Sequence, residues 1–148
     1  MHRVMAVDDE AIVTTQLEEL LISMGYEAAE SASSGQEAVE MARRTRPDII
    51  LMDIVMPGSI DGIDAAEIIK AELDIPVIFL TAYADQKLID KAKIVEPFGY
   101  IVKPFQEREI KAVIEVVLHK KDIERKLRKN GEALRESEEK YRNLAENI

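Results

Sequence analysis

Ile49-Ile50-Leu51-Met52-Asp53 sets four apolar residues in a row and closes them with an acid. A strand with one face in water alternates apolar and polar residues. An unbroken run belongs instead to a strand covered on both faces, as in parallel sheets held between helices. Residues 4–7, 26–31, 77–80 and 100–102 read as four further short strands around it. Helical patterns fill the intervals. Val13, Leu17, Leu20, Leu21 and Met24 make the apolar stripe of a first helix, which Gly25 stops. Ala38, Val39 and Ala42, after Ser33-Ser34-Gly35, predict a second, and Pro47 ends the connection to residues 49–52. Asp61-Gly62 opens a third with Ala65, Ile68 and Ile69, and Asp85 is expected to cap a fourth carrying Leu88, Ile89 and Ala92. A fifth begins near Gln106 with Ile110, Val113, Ile114, Val117 and Leu118 on one face. Strict β-α alternation predicts an α/β fold: a doubly wound five-stranded parallel sheet, flavodoxin-like (βα)5, strand order 2-1-3-4-5, with an extended C-terminal helix.

The 148 residues suffice for one core and an appendage. We read residues 1–120 as the globular domain and 121–148 as a charged linker helix. Charge divides the same way. Residues 1–105 hold 19 acids and 9 bases, a net of -10, whereas residues 106–148 hold 10 and 11, a net of +1. An acidic globular part repels phosphate backbones, so nucleic acid is not an expected partner, whereas a cation or a basic surface is. No run of apolar residues has membrane-spanning length and the first residues lead straight into a strand, so a cytoplasmic protein without membrane association is expected. The absence of cysteine excludes disulfides, thiolate metal sites and cysteine nucleophiles.

The polar residues at the strand ends carry the chemistry. Asp8 and Asp9 end the first strand, Asp53 the third, Thr81 the fourth and Lys103 the fifth. In an open α/β sheet ligands bind beyond the carboxyl ends of the strands, so these five side chains are expected to converge. Three carboxylates so close repel one another unless a divalent cation neutralises them. Mg²⁺ suits an all-oxygen set, and neither His2 nor His119 falls near it. With the cation held, Asp53 can act as a nucleophile towards a phosphoryl group, Lys103 countering its charge and the Thr81 hydroxyl donating to one of its oxygens. The Lys103-Pro104 bond is a candidate for the cis form.

These residues also carry a resemblance. Val7-Asp8-Asp9-Glu10, Leu51-Met52-Asp53-Ile54-Val55-Met56-Pro57, Asp61-Gly62, Leu80-Thr81-Ala82 and Tyr100-Ile101-Val102-Lys103-Pro104-Phe105 resemble, in order and spacing, the motifs of response-regulator receiver domains of two-component signalling. The resemblance covers residues 3 to about 118. It implies that Asp53 is the phosphoacceptor for a histidine kinase or phosphotransfer protein, and that Asp9, Asp53 and the Val55 backbone carbonyl ligate Mg²⁺, with Asp8 assisting through water. It further implies a switch pair, Thr81 and Tyr100, that remodels a face built from the fourth helix, fifth strand and fifth helix, a surface for partners or a homodimer. The loop at Gly58-Ser59-Ile60 is one residue longer than in many members. Such a domain accepts a phosphoryl group rather than turning over a substrate. Val55 and Tyr83, two residues after Asp53 and Thr81, offer no amide or carboxylate to orient water, so self-hydrolysis is expected to be slow.

Each part has a plainer reading. Asp9 or Glu10 could merely cap the first helix, Tyr100 could be an ordinary partly buried aromatic, and Met52 and Met56 read as core filler. A hydrolase of the haloacid dehalogenase type also uses a strand-end aspartate with Mg²⁺, but wants a second acid where Val55 stands. A degenerate receiver that only binds partners predicts a broken acidic pocket, and all five positions are present here. Beyond Lys120, Leu127, Leu134, Tyr141 and Ile148 recur every seven residues, the period of a coiled coil and a second route to a homodimer, although Gly131 and polar d-type positions equally suit a solvated charged helix. Residues 134–148 resemble the linker and opening helix of a PAS sensor domain, which implies a longer protein in which the receiver precedes PAS modules.

Overall fold

Parallel pairing needs a crossover between successive strands, and among the described residues a helix follows each of the first three. The computed structural model describes residues 2–82, 90 and 99–146, with side chains as far as Arg128. Strands β1 (Arg3–Val7), β2 (Glu27–Ala28), β3 (Ile49–Asp53), β4 (Val77–Thr81) and β5 (Gly99–Val102) form one sheet in the order β2-β1-β3-β4-β5. All four pairings are parallel. The described helices are α1 (Ala11–Ser23), α2 (Gly35–Thr45), α3 (Gly62–Leu73) and α4 (Glu107–Glu146). This is the predicted flavodoxin-like order. The helix expected at Asp85, with Leu88, Ile89 and Ala92, lies outside the described residues, so α4 is the helix expected fifth. By packing, the chain divides into two units, Met1–Val117 and Leu118–Ile148.

In the first unit the central strands are buried at every position, β3 and β4 from end to end. Successive side chains point to opposite faces. Met5, Val7, Ile50, Met52, Val77 and Phe79 join one core with α2 and α3, through Ala38, Ala42, Ala66 and Ile69 among others. The alternate residues face α1, whose Leu17 and Leu21 are fully buried. The first turns of α4 lie on this side too, where Glu107 accepts a bond from Ser23 Oγ at 3.5 Å. Each large side chain so buried stabilises the fold by about 1.5–3 kcal/mol. The stripe on α1 also includes a buried Thr14, which periodicity of apolar residues passes over; its hydroxyl donates to the Ala11 carbonyl, which removes the cost of burying it.

Strand β2 is shorter than the expected 26–31. Glu27 and Ala28 pair with Arg3 and Val4, and beyond them Ala32 makes an isolated parallel bridge to Val7. At a sheet edge one neighbour remains to pair with, and Glu27, Glu30 and Ser31 give the segment little to bury. Its backbone stays attached further on, since the Ala29 and Ala32 N–H groups donate to the Val4 and Ala6 carbonyls. Strands β3 and β4 each run one residue past the expectation, taking in Asp53 and Thr81. That difference matters, because it places both polar side chains on the last rungs of the ladder.

Helix ends follow local chemistry. Gly25, at φ 89°, takes the left-handed turn after α1. Ser34 caps α2 by accepting from Glu37 N–H at 3.1 Å. Asp61 and Asp64 form a reciprocal capping box on α3. Glu10, the N-cap residue of α1, makes no capping bond through its side chain. No helix among the described residues is long and apolar enough to cross a membrane. The second unit is the remainder of α4, helical to Glu146 and carrying an ion pair between Asp122 and Lys126 at 3.1 Å. The side chains of Leu134 and Tyr141, and Ile148 altogether, lie outside the described residues.

Candidate functional site

The carboxyl ends of β1 and β3 bring three acids together. Asp8, Asp9 and Asp53 can each present an oxygen within 4.8 Å of the others; Asp8 and Asp53 are buried and Asp9 is exposed. Lys103 arrives from the end of β5, its Nζ 2.8 Å from Asp8 Oδ2 and 3.4 Å from Asp53 Oδ2. The Lys103-Pro104 peptide bond is cis, as the sequence suggested. Backbone donors hold the acids in place. Glu10 N–H donates to Asp8 Oδ1 at 3.0 Å, and Val55 N–H to Asp53 Oδ1 at 3.2 Å. Asp8 is thus tied at both oxygens. Its neighbour Asp9 keeps its carboxylate towards solvent.

Electrostatics at Asp53 follow from this packing. Burial, the strongest influence, pushes its carboxyl up to about 6, Asp8 adds to the rise, and Lys103 and the Val55 N–H oppose it. Burial works against the Lys103 ammonium as well, but the carboxylates of Asp8 and Asp53 outweigh it and lift its pKa above the ordinary value. Among the described residues the cluster therefore gathers three acids and one base, with Lys103 in contact with Asp8 and Asp53 and Asp9 at the exposed rim.

Thr81 is buried at the end of β4, one residue beyond Leu80, which pairs with Asp53. Tyr100 sits apart from the acids. Its ring packs on Phe79 with centroids 6.2 Å apart, on the side of the sheet covered by α2 and α3. Val55 points into solvent, 63% exposed. Tyr83 lies outside the described residues. Met52 and Met56 are buried in the core cluster, away from any ligand role.

Two residues of the site escaped the sequence reading. Gly62 N–H donates to the Ile54 carbonyl at 3.1 Å, and a Cβ on Gly62 would collide with the Asp53 carbonyl oxygen. A Cβ on Gly35 would collide with the Ile60 carbonyl. The loop 54–61 is thus seated between two glycines. A single sequence shows Gly62 only as a helix opener and Gly35 only as part of a turn; the close approaches come from distant chain segments, and no local pattern reports them.

The response regulator receiver domain family matches residues 4–115. The chain belongs to that family. This receiver domain is 38% identical over 117 residues to the transcriptional regulatory protein PdtaR of Mycobacterium tuberculosis, across 79% of this chain and 57% of that protein. It is 38% identical to the chemotaxis protein CheY of Thermotoga maritima, across 73% of this chain and 90% of that one. The signal receiver domain of a modulated diguanylate cyclase from Desulfovibrio desulfuricans superposes with a TM-score of 0.80 at 36% identity, covering 84% of this chain and 98% of that one. The chain spans little more than half the length of PdtaR. Receiver domains generally bind Mg²⁺ at an acidic pocket, and the oxygen-only set of Asp8, Asp9 and Asp53 fits such a hard cation.

In this receiver domain the Tyr100 hydroxyl is buried and finds no hydrogen-bond partner among the described residues, while burial raises its pKa. A buried hydroxyl without a partner costs free energy, and phenylalanine removes it while keeping the ring. Tyr100→Phe is therefore expected to leave stability unchanged or raise it by up to about 1 kcal/mol. Denaturant titration checks this, and a loss of more than about 1 kcal/mol would show that the hydroxyl is bonded after all.

Proposed function

We propose that this chain accepts a phosphoryl group onto Asp53 from a histidine kinase or a phosphotransfer protein, with Mg²⁺, and signals through the switch residues Thr81 and Tyr100. The observation that carries the reading is the convergence of Asp8, Asp9, Asp53 and Lys103 at one end of a parallel sheet. Asp9, Asp53 and the Val55 backbone carbonyl would hold the cation, with Asp8 acting through water. Bound there, Mg²⁺ would supply positive charge to the oxygens of the transferring group.

The chain's own residues do the rest. An Asp53 carboxylate oxygen forms a bond to phosphorus as the phosphorus–nitrogen bond of the donor imidazole breaks, and the electron pair stays with the leaving nitrogen. The Asp53 carboxylate is held by the Val55 N–H at one oxygen, which limits its rotation before attack. Lys103, already beside Asp53, pairs with the transferred oxygens, and the Thr81 hydroxyl donates to another. Drawing Thr81 inward would let Tyr100 follow; the helix expected from Asp85, which shares the signalling face with β5 and the start of α4, lies outside the described residues. Residues 1–120 form the receiver on this reading, and 121–148 a linker into a PAS-like start, in a cytoplasmic protein with neither nucleic acid nor membrane as partner.

Phosphoryl turnover of the haloacid dehalogenase kind needs an acid two residues after the nucleophile, and Val55 is apolar. The same side chain cannot orient a hydrolytic water, which supports a long-lived aspartyl phosphate. Incubation with acetyl phosphate and Mg²⁺ should add about 80 Da in the wild type and nothing in Asp53→Asn, read by intact mass. Absence of the adduct, or its persistence in Asp53→Asn, would overturn the assignment. Decay of the adduct within seconds would count against the role given to Val55.

A further inference from the structure

The second unit of the chain has an apolar face of its own. Ile123 and Leu127 are 42% and 64% exposed on α4. Lys120, Leu127, Leu134, Tyr141 and Ile148 recur every seven residues, and Ile123, Asn130, Ser137 and Leu144 fall three residues after successive members of that series. These are the a and d positions of four consecutive heptads. Apart from Leu118 and two alanines, every apolar residue from 118 to 146 lies on them. The backbone beneath is helical to Glu146. A helix in water is held chiefly by burying its apolar face, so a single seam on an otherwise charged segment calls for a partner with the same seam.

We infer that this seam pairs with a second copy of the chain as a parallel, in-register, two-stranded coiled coil. Charge selects the partner and its direction. The charged residues at e are acidic, Glu124 and Glu138, whereas those at g are basic, Lys126 and Lys140. Antiparallel pairing sets e against e and g against g, so like charges face one another along both flanks. Parallel pairing sets each g against the e five residues on in the other helix. His119 then meets Glu124, Lys126 meets Gly131, Ala133 meets Glu138 and Lys140 meets Ala145, with no like charges opposed. Asn130 and Ser137 put polar layers at two successive d positions. Such layers fix the register and weaken the pair, so the dimer is concentration-dependent. The inference does not rest on phosphorylation at Asp53.

Sedimentation of the full chain tests it. The wild type should pass from monomer to dimer with concentration, Leu127→Glu with Leu134→Glu should be monomeric throughout, and Asn130→Leu should tighten the dimer by at least about tenfold. A cooperative denaturant transition of the double variant, with the midpoint of the wild-type receiver, reports that its receiver is folded. Because the chain has no cysteine, Ile123→Cys gives a clean reading of direction. Mild oxidation should join two copies through residue 123 in a parallel dimer, and should not do so for Arg125→Cys, on the outer side of the helix. A wild type that stays monomeric, a double variant that still dimerises, or equal cross-linking at 123 and 125 would each overturn the inference.

Discussion

Replacing Gly62 with alanine is expected to cost about 3 kcal/mol of stability and to remove most phosphoryl uptake with it. The added methyl would stand inside contact distance of the Asp53 carbonyl oxygen, and at 3.0 Å from both the Asp53 carbonyl carbon and the Ile54 Cα. These are backbone atoms of the last residue of β3, which pairs with Leu80 of β4, and of the residue after it, and they cannot swing aside as a side-chain tip can. Relief therefore comes from displacing either the start of α3 or Asp53 itself. A shift of well under an ångström at a reacting carboxylate is enough to degrade transfer. The comparison that isolates the cause is Gly58→Ala. Gly58 takes φ 108°, yet nothing lies within 4 Å of where its Cβ would be, so that change costs only the backbone penalty of about 1–2 kcal/mol and leaves the site in place. Denaturant titration and adduct formation measured on both variants decide the matter; if Gly62→Ala is no worse than Gly58→Ala, the close approach has no energetic consequence.

Asp53→Asn should stabilise the metal-free protein at pH 7 by about 1–2 kcal/mol. The folded-state pKa of about 6 lies above the ordinary value of 3.8, with burial as the main cause. Between those limits the folded state holds more protons at this position than the unfolded chain. Stability from this group is fully present below about pH 4 and is lost as pH rises through 6. The full shift corresponds to about 3 kcal/mol, and partial access of the carboxylate to water reduces what is realised. Other carboxylates titrate in the same range, so the quantity to follow is the difference between wild type and Asp53→Asn from pH 4 to 8. It should grow with pH and level off near 7. Added Mg²⁺ should reverse the order, stabilising the wild type by about 2.7 kcal/mol at a hundredfold excess over its dissociation constant and the variant by much less. A difference that does not change with pH would remove the case for a buried, proton-holding Asp53.

Much of the architecture was readable because its signals are local. Residues 49–52 and 77–80 are apolar without interruption, and the structure buries every one of them. Asp8, Asp9, Asp53, Thr81 and Lys103 were expected to meet because each stands at the end of a strand, and parallel strands deliver their ends to one edge. What escaped depends on contacts that sequence neighbours do not report. The regular pairing of β2 ends at Ala28 and resumes only as an isolated bridge at Ala32, a break that the residues 26–31 do not announce. Gly62 is needed by Asp53, nine residues away in the chain and adjacent in space. Thr14 hides in an apolar stripe because a hydroxyl bonded to its own helix packs like a methyl.

The backbone around Asp53 is stitched in every direction. Ile54 N–H donates to the Leu80 carbonyl at 3.1 Å, Lys103 N–H to the Thr81 carbonyl at 2.7 Å, and Gly62 N–H to the Ile54 carbonyl. Three strand ends and the start of a helix are thereby locked into one frame. Sliding or hinging within this frame would break those backbone bonds. On the proposed reading, news of phosphorylation at Asp53 would leave through side-chain rotation and loop rearrangement, with the sheet as the fixed reference against which those movements are measured.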